Sequence, residues 1–144
     1  MRVLFVTSEM TDYVQTGGLA AVAAALPRAL RPVADVRAIL PGYPAVLRGL
    51  RSTEVVGSCP ADGQIPAAQL LRGHTADGIP VYAVQCAPLY ERDGGIYCDG
   101  NGRDWADNDL RFACFASVAA ALAAGQVDSD WSADLIHAND WQAG

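Results

Sequence analysis

The feature that most constrains this chain is its opening. The apolar run Val3-Leu-Phe-Val6 is followed by a polar stretch, then by Gln15-Thr-Gly-Gly-Leu19 and an alanine-rich segment reaching Leu30. The β-branched, aromatic and aliphatic content of Arg2 to Thr7 predicts a strand buried on both faces, as in a parallel sheet. From Gly18 to about Leu30, the residues Leu19, Val22, Ala23, Leu26 and Leu30 recur on one helical face. Pro27 is expected to interrupt and kink that helix. Asp35 to Leu40 supplies a second strand, closed by the turn-rich Pro41-Gly-Tyr-Pro44. One β-α-β unit is then complete, with a crossover that is right-handed almost without exception. The class is α/β, and the turn between first strand and first helix is where phosphate would meet free backbone N–H groups.

The middle of the chain changes character. Glu54 to Ser58, Ala68 to Arg72 and Ile79 to Val84 read as strands separated by Pro and Gly rather than by helices, so a hairpin or meander is inserted into, or appended to, the parallel sheet. Residues 87 to 107 carry Gly94-Gly95, Gly100, Gly102, aromatics and acids. Irregular loops of that length in a compact domain tend to be functional. Asp107 is placed to cap the following helix. In that helix Leu110, Cys114, Val118 and Leu122 repeat at four-residue spacing, Phe115 and Ala119 widen the apolar face, and Gly125 ends it. Asp134 to Ala138 is a final strand, and Asp140-Trp-Gln-Ala-Gly144 announces a helix of which only the start is present. An apolar sheet face is therefore expected to be exposed or covered by a partner chain, with self-association as one outcome.

Composition narrows the partners. A length of 144 residues suits one domain with its own core, and 51% hydrophobic with 18% charged residues is ordinary for a soluble globular protein. The net charge of −6 argues against nucleic acid or an anionic membrane as a general partner. The four cysteines, Cys59, Cys86, Cys98 and Cys114, form no C-x-x-C pair, which removes the usual zinc and dithiol signatures. Only Arg2 precedes the first apolar run, too little for a secretory signal, and no run approaches membrane-spanning length. The compartment these features point to is the cytoplasm.

An ordered series of landmarks runs through nearly the whole chain: Ser8-Glu9, Thr16-Gly-Gly-Leu19, Leu26-Pro27, Leu40-Pro-Gly-Tyr43, Leu89-Tyr-Glu-Arg92, Tyr97, Asp104-Trp105, Asp107-Asn108, Arg111-Phe112 and His137-Ala-Asn-Asp-Trp141. In this series the chain resembles the bacterial glycogen synthases and plant starch synthases, retaining glucosyltransferases that use a nucleotide-activated glucose. The resemblance implies a Rossmann-like, mostly parallel sheet with helices on both faces and an inserted β-hairpin. It also implies that residues 1–144 are an incomplete N-terminal portion of a two-domain GT-B catalytic unit, without the C-terminal nucleotide-binding domain.

The resemblance further implies roles for particular residues. Gln15, Thr16, Gly17 and Gly18 would bind the sugar donor, while Tyr97, Asn139 and Asp140 would hold sugar and acceptor, with Asp140 also the catalytic candidate. The substrates would be ADP-glucose and an α-1,4-glucan, with no metal and no organic cofactor. The residues keep their plainer readings beside these. Gly17-Gly18 also suits a tight strand-to-helix connection, Tyr97 a packed loop aromatic, and Asp140 a helix N-cap. His137 reads as a strand-end histidine, Trp105 as a loop anchor, and Gln142 decides nothing. The family usually carries lysine where Gln15 stands, aspartate at Ala21 and often histidine at Cys98. A neutral amide in place of that lysine would cost donor binding on the order of 1 to 3 kcal/mol. Two other classes fit the same sequence: a non-catalytic glucan-binding module, and a small flavodoxin-like nucleotide or phosphate binder.

Overall fold

The apolar opening forms β1 (Arg2–Val6), in which Val3, Leu4, Phe5 and Val6 are all buried, as a strand covered on both faces requires. The computed structural model describes residues 1–144 and sets β1 inside a six-stranded sheet. The remaining strands are β2 (Asp35–Pro41), β3 (Arg51–Cys59), β4 (Ala68–His74), β5 (Pro80–Gln85) and β6 (Leu135–Ala138). Their spatial order is β3-β4-β5-β2-β1-β6. β1 runs parallel to β2 and to β6, and β2 parallel to β5. β4 is antiparallel to both β3 and β5, so the Pro- and Gly-punctuated middle of the chain is a meander that extends the parallel sheet at one edge.

Helices connect the parallel strands: α1 (Leu19–Leu30) joins β1 to β2, and α4 (Asn108–Ala123) joins β5 to β6, with the short helices α2 (Pro44–Gly49) and α3 (Ala87–Tyr90) between them. The first crossover moves from β1 toward β2. The last passes back over β2 and β1 to reach the opposite side of β1. Right-handed crossovers in opposite directions place α1 and α4 on opposite faces, and α4 packs on β1 and β2 through Phe112, Phe115, Val118 and Leu122. The reversal of direction leaves a topological switch point between β1 and β6, where open α/β sheets form their ligand crevice. No helix is long and apolar enough to cross a membrane.

Three local expectations are corrected. Val22 does not face the core; it is 51% exposed, and the buried residues of α1 are Ala20, Ala23 and Pro27. The helix rests on Ala20, Ala23 and Pro27, with Leu26 and Leu30 partly buried against the core beside them. Pro27 does not interrupt α1, since the helix reaches Leu30 and the Arg31 N–H donates to the Pro27 carbonyl at 3.0 Å. Only the one bond that proline cannot donate is missing, and the ring is buried on the inward face. Asp107 makes no side-chain cap on α4. Its two oxygens instead accept from Arg92 Nη1 at 2.8 Å and Nη2 at 2.6 Å, a charged fork that outcompetes a neutral amide.

The segment after α4 returns across β3, where a Cβ on Gly57 would run into the Val127 carbonyl oxygen and crowd its side chain. Replacing Gly57 by alanine should therefore lower stability by about 1–3 kcal/mol in chemical denaturation. Gly100→Ala, in open space, should stay within about 0.5 kcal/mol of the parent. Equal midpoints for the two variants would show that the Val127 segment yields freely.

The Arg92–Asp107 pair carries a pH signature. The side-chain bonds from Arg92 hold the Asp107 carboxyl below the usual carboxylate range, so the unfolded chain takes up this proton more readily than the native one. Its stabilisation is complete above the unfolded pKa near ~4 and fades as pH falls through the lower native value. Both side chains are part-exposed, at 24% and 35%, which limits the contribution to about 0.5–1 kcal/mol. Asp107→Asn should show that deficit in urea unfolding at neutral pH and none near pH ~2.

Candidate active site at the carboxyl ends of β1 and β6

At the end of β1 the chain turns through Thr7-Ser8-Glu9, all three buried. Glu9 organises the site. Its Oε2 accepts from the Thr16 N–H at 2.6 Å, the Thr16 hydroxyl at 3.0 Å and the Gly17 N–H at 3.1 Å. Its Oε1 accepts from the Tyr97 hydroxyl at 3.3 Å. The Tyr97 and Ser8 hydroxyls also share a hydrogen bond of 2.7 Å. A carboxylate buried without a cation is thus satisfied by four neutral donors, the condition on which it can remain buried. Burial pushes the Tyr97 phenol up to about 12, with Ser8 opposing and Glu9 adding to the rise, so the hydroxyl stays protonated at neutral pH.

This arrangement changes the reading of the glycine turn. The N–H groups of Thr16 and Gly17 are held by Glu9 and are not free for a phosphate. Neither Gly17 nor Gly18 has positive φ, and an added Cβ would meet nothing within 4 Å at either. The glycines leave room on an exposed surface rather than supply a left-handed turn. What stays open to a ligand is Gly18 and the first turn of α1, which has no side-chain cap. Gln15 and Thr16 are exposed, and the Thr16 hydroxyl turns inward to Glu9.

The loop before α4 delivers Tyr97 to the same rim. Its carbonyl accepts from the Trp105 N–H at 3.1 Å and from Asn108 Nδ2 at 2.9 Å. Its ring lies 5.9 Å from Phe112, which meets Trp141 edge-on at 5.1 Å. Those contacts tie the loop to the residues after β6. There Asn139 donates from its backbone N–H and its Nδ2 to the Val6 carbonyl at 3.1 and 2.9 Å, clamping the end of β6 to the end of β1. A further bond from Nδ2 to the His137 carbonyl at 3.1 Å leaves Oδ1 as the open end of that side chain. His137 packs its ring on Phe5 at 4.9 Å, a strand-end role.

Asp140 is exposed and sits at φ 63°, a left-handed conformation rare for a residue with a Cβ. Its Oδ1 accepts the Trp141 N–H at 2.7 Å, so the capping geometry is realised on a single 3₁₀ turn, Trp141–Ala143. Capping uses one oxygen, and strain of this kind is found most often at ligand sites.

The structure therefore brings Thr16, Gly17, Tyr97 and Asn139 together around the end of β1, with Asp140 following Asn139 on the same rim. Gln15 takes no part in the network. The rim is an open shelf: Gln15, Thr16, Gly17, Gly18 and Asp140 are exposed, and Tyr97 and Asn139 are half-buried. No group of three or more His, Cys, Asp or Glu side chains is placed to hold a metal ion. Sequence reasoning assigned no role to Ser8 or Glu9. The available signal was their position directly after a fully buried strand, where a polar pair must be paired or functional.

The sheet order defines an open α/β protein whose β1 and β6 carboxyl ends meet at the switch point, where sheets of this class form their ligand crevice. Residues 2–144 match the model of the starch synthase catalytic domain, and the chain belongs to that family. It is 58% identical over 134 residues to Glycogen synthase 1 of Bradyrhizobium diazoefficiens, an alignment covering 93% of this chain and 29% of that protein. It is 47% identical over 143 residues to Glycogen synthase of Pseudomonas syringae pv. syringae, covering 99% of this chain and 30% of that one. The chain thus spans about 30% of the length of these curated relatives.

Replacing Glu9 by glutamine keeps the shape and removes the charge that gathers the Thr16 and Gly17 amides. Glu9→Gln should lose about 1–3 kcal/mol of stability and speed hydrogen exchange at those two amides. Unaltered exchange there would mean that the turn holds itself without the carboxylate.

Proposed function

We propose that this chain forms one wall of a retaining glucosyltransferase of the glycogen synthase type, which moves glucose from ADP-glucose to the non-reducing end of an α-1,4-glucan. The supporting observation is the convergence of an open shelf at the β1/β6 switch point with identity of 58% and 47% to two glycogen synthases. In this reading Gly18 and the first N–H groups of α1 face the donor diphosphate. Gln15 adds a neutral amide, and Thr16 and Gly17 act by keeping the turn against Glu9. The Tyr97 hydroxyl is already engaged, so the ring rather than the hydroxyl meets a glucose face. The Asp140 carboxylate and Asn139 Oδ1 accept from sugar hydroxyls, with Asp140 nearest the reacting sugar. Basic groups that stabilise the leaving diphosphate belong to a second domain facing this one, and residues 1–144 are the front part of the N-terminal domain.

The same reading needs no metal and no organic cofactor. It places the protein in the cytoplasm, with a nucleotide sugar and an α-glucan as partners and neither nucleic acid nor membrane. Leu135 and Ile136 on the outer strand β6 are 43% and 49% exposed, a surface that the rest of the enzyme or a second copy of the chain would cover. A glucan-binding module without transfer is favoured only by Gln15 and Ala21, which take a cation and a carboxylate away from the shelf.

The experiment is glycogen co-sedimentation with the 144-residue chain, together with a transfer assay using labelled ADP-glucose. The chain should bind glycogen, Tyr97→Ala should weaken binding about fivefold while near-UV circular dichroism is retained, and no label should be transferred. Turnover by these 144 residues alone would overturn the two-walled reading. Binding of flavin nucleotides with no glucan affinity would replace it by the flavodoxin-like alternative.

A further inference from the structure

Behind the Tyr97 loop lies a hollow of about 250 Å³ that the glucosyl-transfer reading leaves unused. Its walls include Tyr43, Arg48, Arg92, Asp93 and Arg111. Tyr43 is 97% buried by its 3% exposure, and its hydroxyl has no hydrogen-bond partner. A phenol buried in that state forfeits a bond that water would have supplied. Arg111 is buried as well, at 1% exposure. Its Nε donates to the Leu89 carbonyl at 2.8 Å, and its Nη1 to the Ile96 carbonyl at 2.8 Å and to Asn108 Oδ1 at 2.6 Å. All three acceptors are neutral, Nη2 has no acceptor within the chain, and no carboxylate forms an ion pair with the guanidinium. Burial accordingly draws the Arg111 pKa down.

Arg48 stands exposed at the mouth and belongs to none of the ion pairs. Arg92 is already neutralised by Asp107. Two guanidinium groups outside every ion pair therefore line one hollow, with Asp93 as its one acidic side chain and the Tyr43 hydroxyl shut off behind the wall, on a chain of net charge −6. A cation would be repelled there, and an apolar ligand would leave every one of those donors unpaired. Guanidinium forks match tetrahedral oxyanions in shape and charge.

We propose that this hollow binds a phosphate dianion, free or as the end of a small phosphate monoester, held by Arg111 Nη2 and Arg48. The ligand completes the coordination of Arg111, which in turn holds the Ile96 carbonyl and the Asn108 side chain on either side of Tyr97. Occupancy tightens the loop that carries Tyr97. The site stands on these side chains alone and does not depend on glucosyl transfer.

The test is isothermal titration calorimetry of the 144-residue chain with inorganic phosphate and, separately, a hexose monophosphate, each against sodium chloride at matched ionic strength. Saturable one-to-one binding is expected. Arg48→Ala should weaken it about tenfold, and Tyr43→Phe, which removes a hydroxyl the ligand does not reach, should leave it unchanged. Neither side chain makes a hydrogen bond within the fold, so both variants should keep the parent thermal midpoint in chloride to within about 2 °C. Tighter binding of the hexose monophosphate would identify a monoester as the ligand, and equal binding free phosphate. Absence of saturable binding by both probes, or parent affinity in Arg48→Ala, would overturn the proposal.

Discussion

The shelf depends on one buried carboxylate. Glu9 follows a strand with no exposed face and carries a charge that water cannot reach, so the surrounding chain must supply its donors. It takes them from the Thr16 and Gly17 amides, the Thr16 hydroxyl and the Tyr97 phenol, and in doing so fixes two loops that are otherwise far apart in sequence. A shelf open to a ligand keeps its shape only if these loops hold their positions without one. The carboxylate provides that rigidity from beneath, while the outward sides of Gly17 and Gly18 stay clear.

Arg111 plays the complementary part on the other side of the same loop. It holds the Leu89 and Ile96 carbonyls and the Asn108 side chain, and its guanidinium lies near the rings of Trp105, Tyr90 and Phe112, at 5.6 to 6.0 Å. The irregular segment before α4 is therefore held at Tyr97 by a buried carboxylate and at Ile96, one residue earlier, by a buried guanidinium. The two charges never pair with each other. Each is compensated by neutral groups, which makes the geometry of this loop sensitive to any ligand that changes either balance.

Much of the architecture was legible beforehand because it follows from local pattern. Val3 to Val6 could only be an interior strand, the residues around Cys114, Val118 and Leu122 form the inward stripe of α4, and Gly125 ends that helix at φ 72°. Local pattern gives way where a tertiary partner overrides it. Asp107 looks like a cap until Arg92 arrives from the other end of a long loop. Val22 looks inward until Ala20, Ala23 and Pro27 take the face that rests on the core. The glycine turn looks like a nest for phosphate until Glu9, only a few residues earlier in the chain, occupies two of its amides.

Periodicity, turn chemistry and an ordered set of landmark residues are written into neighbouring positions, so the α/β class, a hairpin or meander joined to the parallel sheet and the resemblance to the family can be read from residue order alone. Sheet order was decided only by tertiary structure, because strand pairing joins residues more than a hundred positions apart, as Val3 and Leu135 are joined. The same holds for the partners of Glu9, Arg111 and Tyr43. Which donor reaches a buried charge, and which hydroxyl is left without one, depends on distances that no spacing along the chain encodes.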